Sequence, residues 1–411
     1  MNAPASLAYD VEAIRRDFPI LDTQVYGKPL VYLDNGASAQ KPRAVIDEMV
    51  DVMEHRYANV HRGLHYLANA ATEAYEGARE IVRDFLGAAS TDEIVFTKSS
   101  TEALNLVASS LGLALKEGDE IVLSQLEHHA NIVPWHFLRE RKGVVIKWAP
   151  IGEDGSFLLD EFEKLLGPKT KIVAITHMSN VTGTVVPVAE VSRLAHAVGA
   201  TVVIDGSQGA VHMPVDVKAI GCDFYAITGH KLYGPTGIGA LWGRRELLAS
   251  MPPFLGGGEM IREVTEETVT YGEPPYRFEA GTPPIVEAAG LGAALTYMLK
   301  VGRERIAAHE ADLAAYAHAR LAELNSVRIF GTAPGKGAIV AFEVAGAHAH
   351  DVATILDRYG IAVRAGTHCA QPLLTRFGVT STCRASFAMY NRRDEVDRLV
   401  EGIVKAQQFF A

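Results

Sequence analysis

Lys231 lies in Thr228-Gly229-His230-Lys231-Leu232-Tyr233-Gly234-Pro235, directly after an apolar run. Most lysines are solvated surface groups. One held between glycines beside an apolar leucine is open to desolvation, which lowers its pKa and yields a nucleophilic amine. Asp205 follows Thr201-Val202-Val203-Ile204 and precedes Gly206-Ser207-Gln208. A carboxylate at the end of a buried strand is costly unless it meets a cation or strong donors; the plainer alternative is a turn or cap aspartate. Lys98-Ser99-Ser100-Thr101-Glu102 places hydroxyls at the start of a predicted helix. There, side-chain and backbone donors and the helix dipole favour an anion, with an ordinary Ser/Thr cap as the alternative. Neither GxGxxG at a strand-to-helix turn nor GxxxxGK[ST] occurs, so dinucleotide and P-loop readings fail. An anion site, a carboxylate for a pyridinium nitrogen and a Schiff-base lysine are the three demands of pyridoxal phosphate. Their succession on strand ends is a stronger signal than any one of them.

His128, in Glu127-His128-His129-Ala130-Asn131, follows another strand; its imidazole can stack on a pyridine face or move a proton, or simply cap a turn. Cys222 beside Phe224 reads as a small buried hydrophobe, and Cys383 before Arg384 as structural. Cys369 differs: Gly366 and Pro372 shape its loop, and cationic Arg364 and His368 with partial exposure favour a thiolate. His348 and His350 form a His-Ala-His-Asp run with too few convergent ligands for a metal, so a solvated loop is expected and no metal site is assigned. His350, ahead of the helix leading to the Cys369 strand, is a candidate contact for a docking partner.

These groups need a scaffold. Apolar, mostly β-branched runs at 93–97, 120–124, 144–148, 171–176, 201–204, 224–228 and 238–242 read as strands. Helical patterns lie between them at 101–115, 131–142, 158–166 and 188–197. Strands apolar on both faces and separated by helices predict a mainly parallel sheet between helical layers. Residues 291–324 predict one long connecting helix, with Ile306, Leu313, Tyr316, Leu321 and Leu324 on one stripe. Strand patterns at 338–344 and 361–364 and helices at 351–359 and 394–410 complete a smaller α+β unit. The expected division is an N-terminal arm (1–29) joined to the small domain, a large domain (30–295), and a small domain (296–411) carrying the cysteine loop. The Pro/Gly-rich segment 251–284 shows little regular pattern and is long for a loop, which marks it as functional or an interface.

The 411 residues exceed one ordinary core. A net charge of -10 argues against nucleic acid and anionic membranes as partners. Three cysteines without a CxxC pair fit no disulfide framework or thiolate zinc site and suggest a reducing compartment. Charges interrupt the N-terminus before an apolar core develops, and no apolar run reaches ~18 residues. A cytoplasmic protein is expected.

From 32 to 399 the chain resembles a SufS-type (group II) cysteine desulfurase of the fold-type I, aspartate-aminotransferase-like pyridoxal phosphate enzymes. The segments carrying the resemblance are LDNGASAQKP (33–42), NVHRG (59–63), EHHANIVPW (127–135), GHKLYGPTG (229–237), RFEAGTP (277–283) and RAGTHCAQP (364–372). It implies that Lys231 carries the Schiff base, Asp205 pairs with the pyridine nitrogen, Gln208 approaches the ring hydroxyl and His128 stacks on the ring. Ser100, Thr101, Thr228 and His230 would hold the phosphate, with Thr282 supplied across a dimer interface that His61 and Arg62 also approach. Asn180 and Arg384 would bind the substrate carboxylate, and Cys369 would receive sulfur. The implied reaction converts L-cysteine to L-alanine, leaving a persulfide for a SufE-like or SufU-like acceptor in iron-sulfur cluster assembly. An aminotransferase and a selenocysteine lyase of the same fold are the alternatives. Three positions depart from the pattern: Thr367 replaces a second histidine, Ser207 an alanine and Ser99 a glycine.

Overall fold

The computed structural model describes residues 9–410. Seven strands form the large sheet: β1 (Ile94–Thr97), β2 (Glu120–Ser124), β3 (Val145–Ala149), β4 (Thr170–Thr176), β5 (Thr201–Asp205), β6 (Phe224–Thr228) and β7 (Gly239–Gly243). Their order is β1-β7-β6-β5-β4-β2-β3. β7 runs antiparallel to both neighbours, and the remaining pairs are parallel. Side chains alternate between faces along a strand: Val202 and Ile204 enter one hydrophobic core, while Val203 enters another on the opposite side. Both faces are therefore covered, and the polar loops at the strand ends are left to carry chemistry.

Three helices precede the sheet among the described residues, Val11–Arg16, Arg43–His55 and Tyr66–Leu86, where the pattern of short apolar runs names none. The single helix expected over 291–324 is corrected to two, Ile285–Val301 and Arg303–Ala322. They meet at 77°. Gly302, at φ +97°, occupies backbone space that a helix cannot continue through and that other residues resist. The stripe begins only at Ile306, beyond the break, and the first helix is apolar on nearly every side, so periodicity gave no sign of where one helix ends and the next begins. The segment 251–284 also holds more regular structure than expected: a hairpin of Ile261–Val264 with Val269–Tyr271. Val264, Val269 and Tyr271 are exposed on it.

A second sheet contains β8 (Val327–Phe330), β9 (Ile339–Val344), β10 (Arg364–Gly366) and β11 (Thr382–Ser386), in the antiparallel order β8-β9-β11-β10. It has its own core, built around Val340, Phe342, Leu399 and Ile403. The strand expected over 361–364 is split, because Ile361–Ala362 leaves this sheet to pair in parallel with Val31–Tyr32. That pairing carries Asp34 to β11, where it bridges Ser386. Arg15, further upstream, donates to the Tyr390 carbonyl and pairs with Glu395. Among the described residues no single helix is long and apolar enough to cross a membrane.

Candidate active site

The carboxyl ends of β2, β4, β5 and β6 open onto a cavity of about 290 Å³, the position at which open parallel sheets bind ligands. It is lined by Ser100, Thr101, His128, Asn180, Asp205, Gln208, Thr228, His230, Lys231, Cys369 and Arg384. Gly36, Ala37, Ser99, Ser207, Arg364 and His368 share the wall. Thr282 lies apart, exposed on the segment before helix Ile285–Val301.

One end of the cavity is built to receive an anion. Ser99 caps the helix Ser100–Gly112 without a side-chain bond to it. The Ala103 N–H reaches the Ser99 carbonyl at 3.1 Å, so the N–H groups ahead of it have no partner within the helix. Thr228 Oγ1 is buried without a hydrogen-bond partner. Burial, then the charges of Lys231 and Lys41, pushes His230 down to about 4, which leaves a neutral imidazole. Unspent donors, a buried orphan hydroxyl and a helix terminus suit a phosphate.

Asp205, only 4% exposed, ends β5. Its Oδ1 accepts from the Ser207 N–H at 3.0 Å and lies 2.5 Å from the Ser207 hydroxyl. The turn reading of this aspartate thus holds for one oxygen and leaves the other to the cavity. Gly206 is needed between them, since a Cβ there would overlap the Tyr225 ring. Gln208 Nε2 donates to the Gly36 carbonyl at 2.8 Å.

Lys231 closes a single 3-10 turn, Gly229–Lys231, directly after β6. Burial lowers its pKa to about 8, against the opposing charge of Asp205. His128 Nδ1 accepts from the Ala130 N–H at 3.1 Å, so the ring proton sits on Nε2. Burial, reinforced by Lys231, His129 and Arg384, holds it down at about 3, and the ring is neutral at physiological pH.

On the opposite wall Arg384, on β11, is buried. Its Nη1 donates to the Asn180 carbonyl at 2.9 Å, and its Nη2 lies 3.3 Å from Asp34 Oδ1. Arg384 Nε and Asn180 Oδ1 are buried without partners. Asp34 also binds Arg364, Nη2 to Oδ2, at 2.6 Å. Sequence reasoning quoted Asp34 only within a motif and gave it no role. Its two arginines lie 330 and 350 residues away in the chain, and no local signal announces such pairs.

Cys369 is exposed and unpaired. It and His368 adopt left-handed backbone at φ 55° and 52°, uncommon and strained for residues with side chains. The loop is pinned by the His129 N–H on the Cys369 carbonyl at 2.6 Å and by Asn180 Nδ2 on the His368 carbonyl at 2.7 Å. One expectation needs correction. His368 is no cationic neighbour of the thiol: its Nε2 turns to Thr382, 2.9 Å from Oγ1, and burial pushes it down to about 3. Arg364 is the nearby cation, shared with Asp34.

The other two cysteines are buried. Burial raises both thiols, Cys383 to about 12. His61 pairs with Glu76 and Arg62 with Glu259, each at 2.8 Å and away from the cavity. His348 and His350 stand at the start of helix Ala349–Arg358 rather than in a loop; His348 caps it by accepting from the His350 N–H. Among the described residues no group of three or more His, Cys, Asp or Glu could hold a metal.

A parallel sheet whose strand ends gather a desolvated lysine, a buried aspartate and an anion cradle defines a fold-type I enzyme of the aspartate-aminotransferase kind. Residues 31–399 match the family model described as Aminotransferase class-V, and the chain belongs to that family, among its cysteine desulfurases. It is 51% identical over 405 residues to a cysteine desulfurase of Dickeya dadantii, covering 98% of each chain. A probable cysteine desulfurase of Streptomyces coelicolor is 50% identical over 409 residues, again with 98% of each covered. The crystal structure of the cysteine desulfurase CsdA from Escherichia coli, an S-sulfonic acid form, superposes with a TM-score of 0.91 at 40% identity, covering 98% of this chain and all of that one.

Proposed function

We propose that the protein is a SufS-type cysteine desulfurase that converts L-cysteine to L-alanine and stores the sulfur as a persulfide on Cys369. The observation that carries this reading is an exposed thiol at the mouth of a cavity that also holds Lys231, Asp205 and Arg384. An aminotransferase needs the last three and has no use for the first.

Pyridoxal phosphate, when bound, supplies an electron sink for a carbanion at the substrate Cα. Ser100, Thr101, Thr228 and His230 would hold its phosphate, with Thr282 contributed by the second subunit of a homodimer; His61 and Arg62 would reach toward that neighbour. Asp205 would pair with the ring nitrogen, Gln208 would approach the ring hydroxyl, and His128 would stack on the ring. Lys231 would hold the group and would move the Cα proton, a task suited to an amine whose pKa is near 8. Arg384 and Asn180 orient the substrate carboxylate. The Cys369 thiolate attacks the substrate sulfur. A sulfur–sulfur bond forms as the Cβ–S bond breaks, the bonding pair returns to the carbon skeleton, and protonation there releases alanine. Neutral His128, with its proton on Nε2, would donate a hydrogen bond to the departing product.

The large unit spans 30–295 and the small one 296–411, with the arm 1–29 joined to the latter; residues 1–8 of that arm lie outside the described residues. The setting is cytoplasmic, where the three thiols stay reduced. Incubating the loaded protein with L-cysteine and no keto acid tests the reaction: equimolar alanine and persulfide are expected. Alanine that appears only with an added keto acid overturns it in favour of transamination. Selenocysteine turnover favoured over cysteine would assign the lyase instead.

Arg384→Ala should raise KM for cysteine by about 100-fold while cofactor affinity stays within about twofold, because a charge-assisted carboxylate contact is lost and no cofactor contact is. Steady-state kinetics beside a cofactor titration checks both. The persulfide passes to a SufE-like thiol or SufU-like zinc acceptor serving iron-sulfur cluster assembly. His350, exposed at its helix start, contacts that acceptor and can serve its metal as a ligand. His350→Ala should lower zinc-acceptor-stimulated turnover by about tenfold and leave basal turnover unchanged; equal stimulation in both proteins removes His350 from docking.

A further inference from the structure

Ser207 is a buried hydroxyl that the proposed reaction leaves unused. It is 7% exposed on the cavity wall, two residues beyond Asp205. Its Oγ lies 2.5 Å from Asp205 Oδ1 and 2.9 Å from Ser100 Oγ. Its backbone N–H separately reaches the same Asp205 oxygen at 3.0 Å. We infer that Ser207 is a positioning residue that couples the carboxylate facing the ring nitrogen to the helix start that receives the phosphate. The inference rests on the proposed placement of pyridoxal phosphate in this cavity.

A hydroxyl has one proton, and the shorter contact, to a carboxylate, is the stronger and takes it. The Ser207 lone pairs then accept from the Ser100 hydroxyl, so the dipoles run from Ser100 through Ser207 to Asp205 and polarise one another. With two donors on Oδ1, the Asp205 carboxylate is held in one rotation, and its second oxygen is directed to the cavity. The Ser100 hydroxyl is drawn toward Ser207, which leaves the backbone N–H groups at the helix start as the principal donors to an anion. Removing the Ser207 hydroxyl therefore loosens one end of the site and rewires the other. Alanine at 207 keeps the N–H that closes the turn, so the substitution isolates the hydroxyl.

The test titrates cofactor-free protein with pyridoxal phosphate, follows the visible absorption of the bound cofactor, and repeats the spectrum across pH. Ser207→Ala should bind about tenfold more weakly, the scale of one lost hydrogen bond to a charged group. Its spectral midpoint should move to higher pH by about half a pH unit. With one donor gone the carboxylate draws the ring proton closer, and the ring withdraws less charge from the lysine linkage. Ser100→Ala combined with Ser207→Ala should depart from additivity, as groups in one network do. Wild-type affinity, an unmoved midpoint or an additive double variant would each overturn the coupling; weaker binding with a fixed midpoint is what a merely structural serine gives. Asp205→Asn and Ser100→Ala separate the two levels. If neither weakens binding, the cofactor placement fails; if both do and Ser207→Ala is silent, Ser207 alone loses its role.

Discussion

Lys231→Ala will bind pyridoxal phosphate without the visible absorption of the lysine-bound form, and its turnover of cysteine will fall by about four orders of magnitude or more. Two proposed functions leave together, the covalent anchor and the base at Cα, and groups acting as a unit give losses of this size. Lys41 is the other lysine near the site with a lowered pKa, to about 8 by burial. Its Nζ is held by the carbonyls of Ala39 and His230 and does not line the cavity, so it is not a substitute. Absorption spectra of the reconstituted variant decide the matter: a normal visible band removes Lys231 from its role. The pKa of about 8 adds a second check on the wild type. The neutral amine is the nucleophile, so the rate at which cofactor-free protein captures the aldehyde should climb with pH and level off above about 8. An ordinary lysine would keep climbing toward about 10.4.

The residues legible in the sequence share one property: each follows a strand whose ends the chain itself marks. β2 and β6 have the predicted bounds, 120–124 and 224–228, because apolar residues fill them and polar or Gly residues flank them. Lys231, Asp205 and Ser100 stand at such ends, so strand prediction and site prediction were one inference. What escaped depends on distance in the chain. Asp34 joins Arg364 and Arg384 only because Val31–Tyr32 pairs with Ile361–Ala362, and a two-residue strand has no periodicity to read. Composition predicts a cationic His368; burial keeps it neutral, and Thr382, fourteen residues on, engages its Nε2. The helix break at Gly302 has no periodic signal, because Ile285–Val301 is buried on nearly every side and the stripe starts only at Ile306. Thr282, exposed and outside the cavity, tests the limit of one chain: its proposed role belongs to a second subunit.

Cys369→Ser will bind the cofactor and the substrate as the wild type does, yet form no persulfide, and alanine production will fall by about three orders of magnitude. A serine hydroxyl is a poor nucleophile toward sulfur, whereas the sulfur of an exposed cysteine is a strong one. The variant separates capture of the substrate from transfer of its sulfur, because the proposed carboxylate clamp at Arg384 and the lysine at 231 are left intact. Cys222 and Cys383 will not compensate. Both are buried, burial raises both thiols, and the Cys383 Sγ is 3.2 Å from the Ala349 carbonyl. Their serine variants should keep persulfide formation, whatever they lose in stability. Mass spectrometry after L-cysteine treatment reads the outcome directly. One added sulfur should map to the peptide containing Cys369 in the wild type and vanish in Cys369→Ser. An adduct on Cys222 or Cys383 in its place would defeat the assignment. The loop's construction also predicts where the sulfur can go. Left-handed backbone at His368 and Cys369 is costly, and the hydrogen bonds from His129 and Asn180 to its carbonyls offset that cost. The loop can therefore leave the cavity by exchanging a few hydrogen bonds for relief of strain, a motion that delivery of the persulfide to an outside acceptor requires.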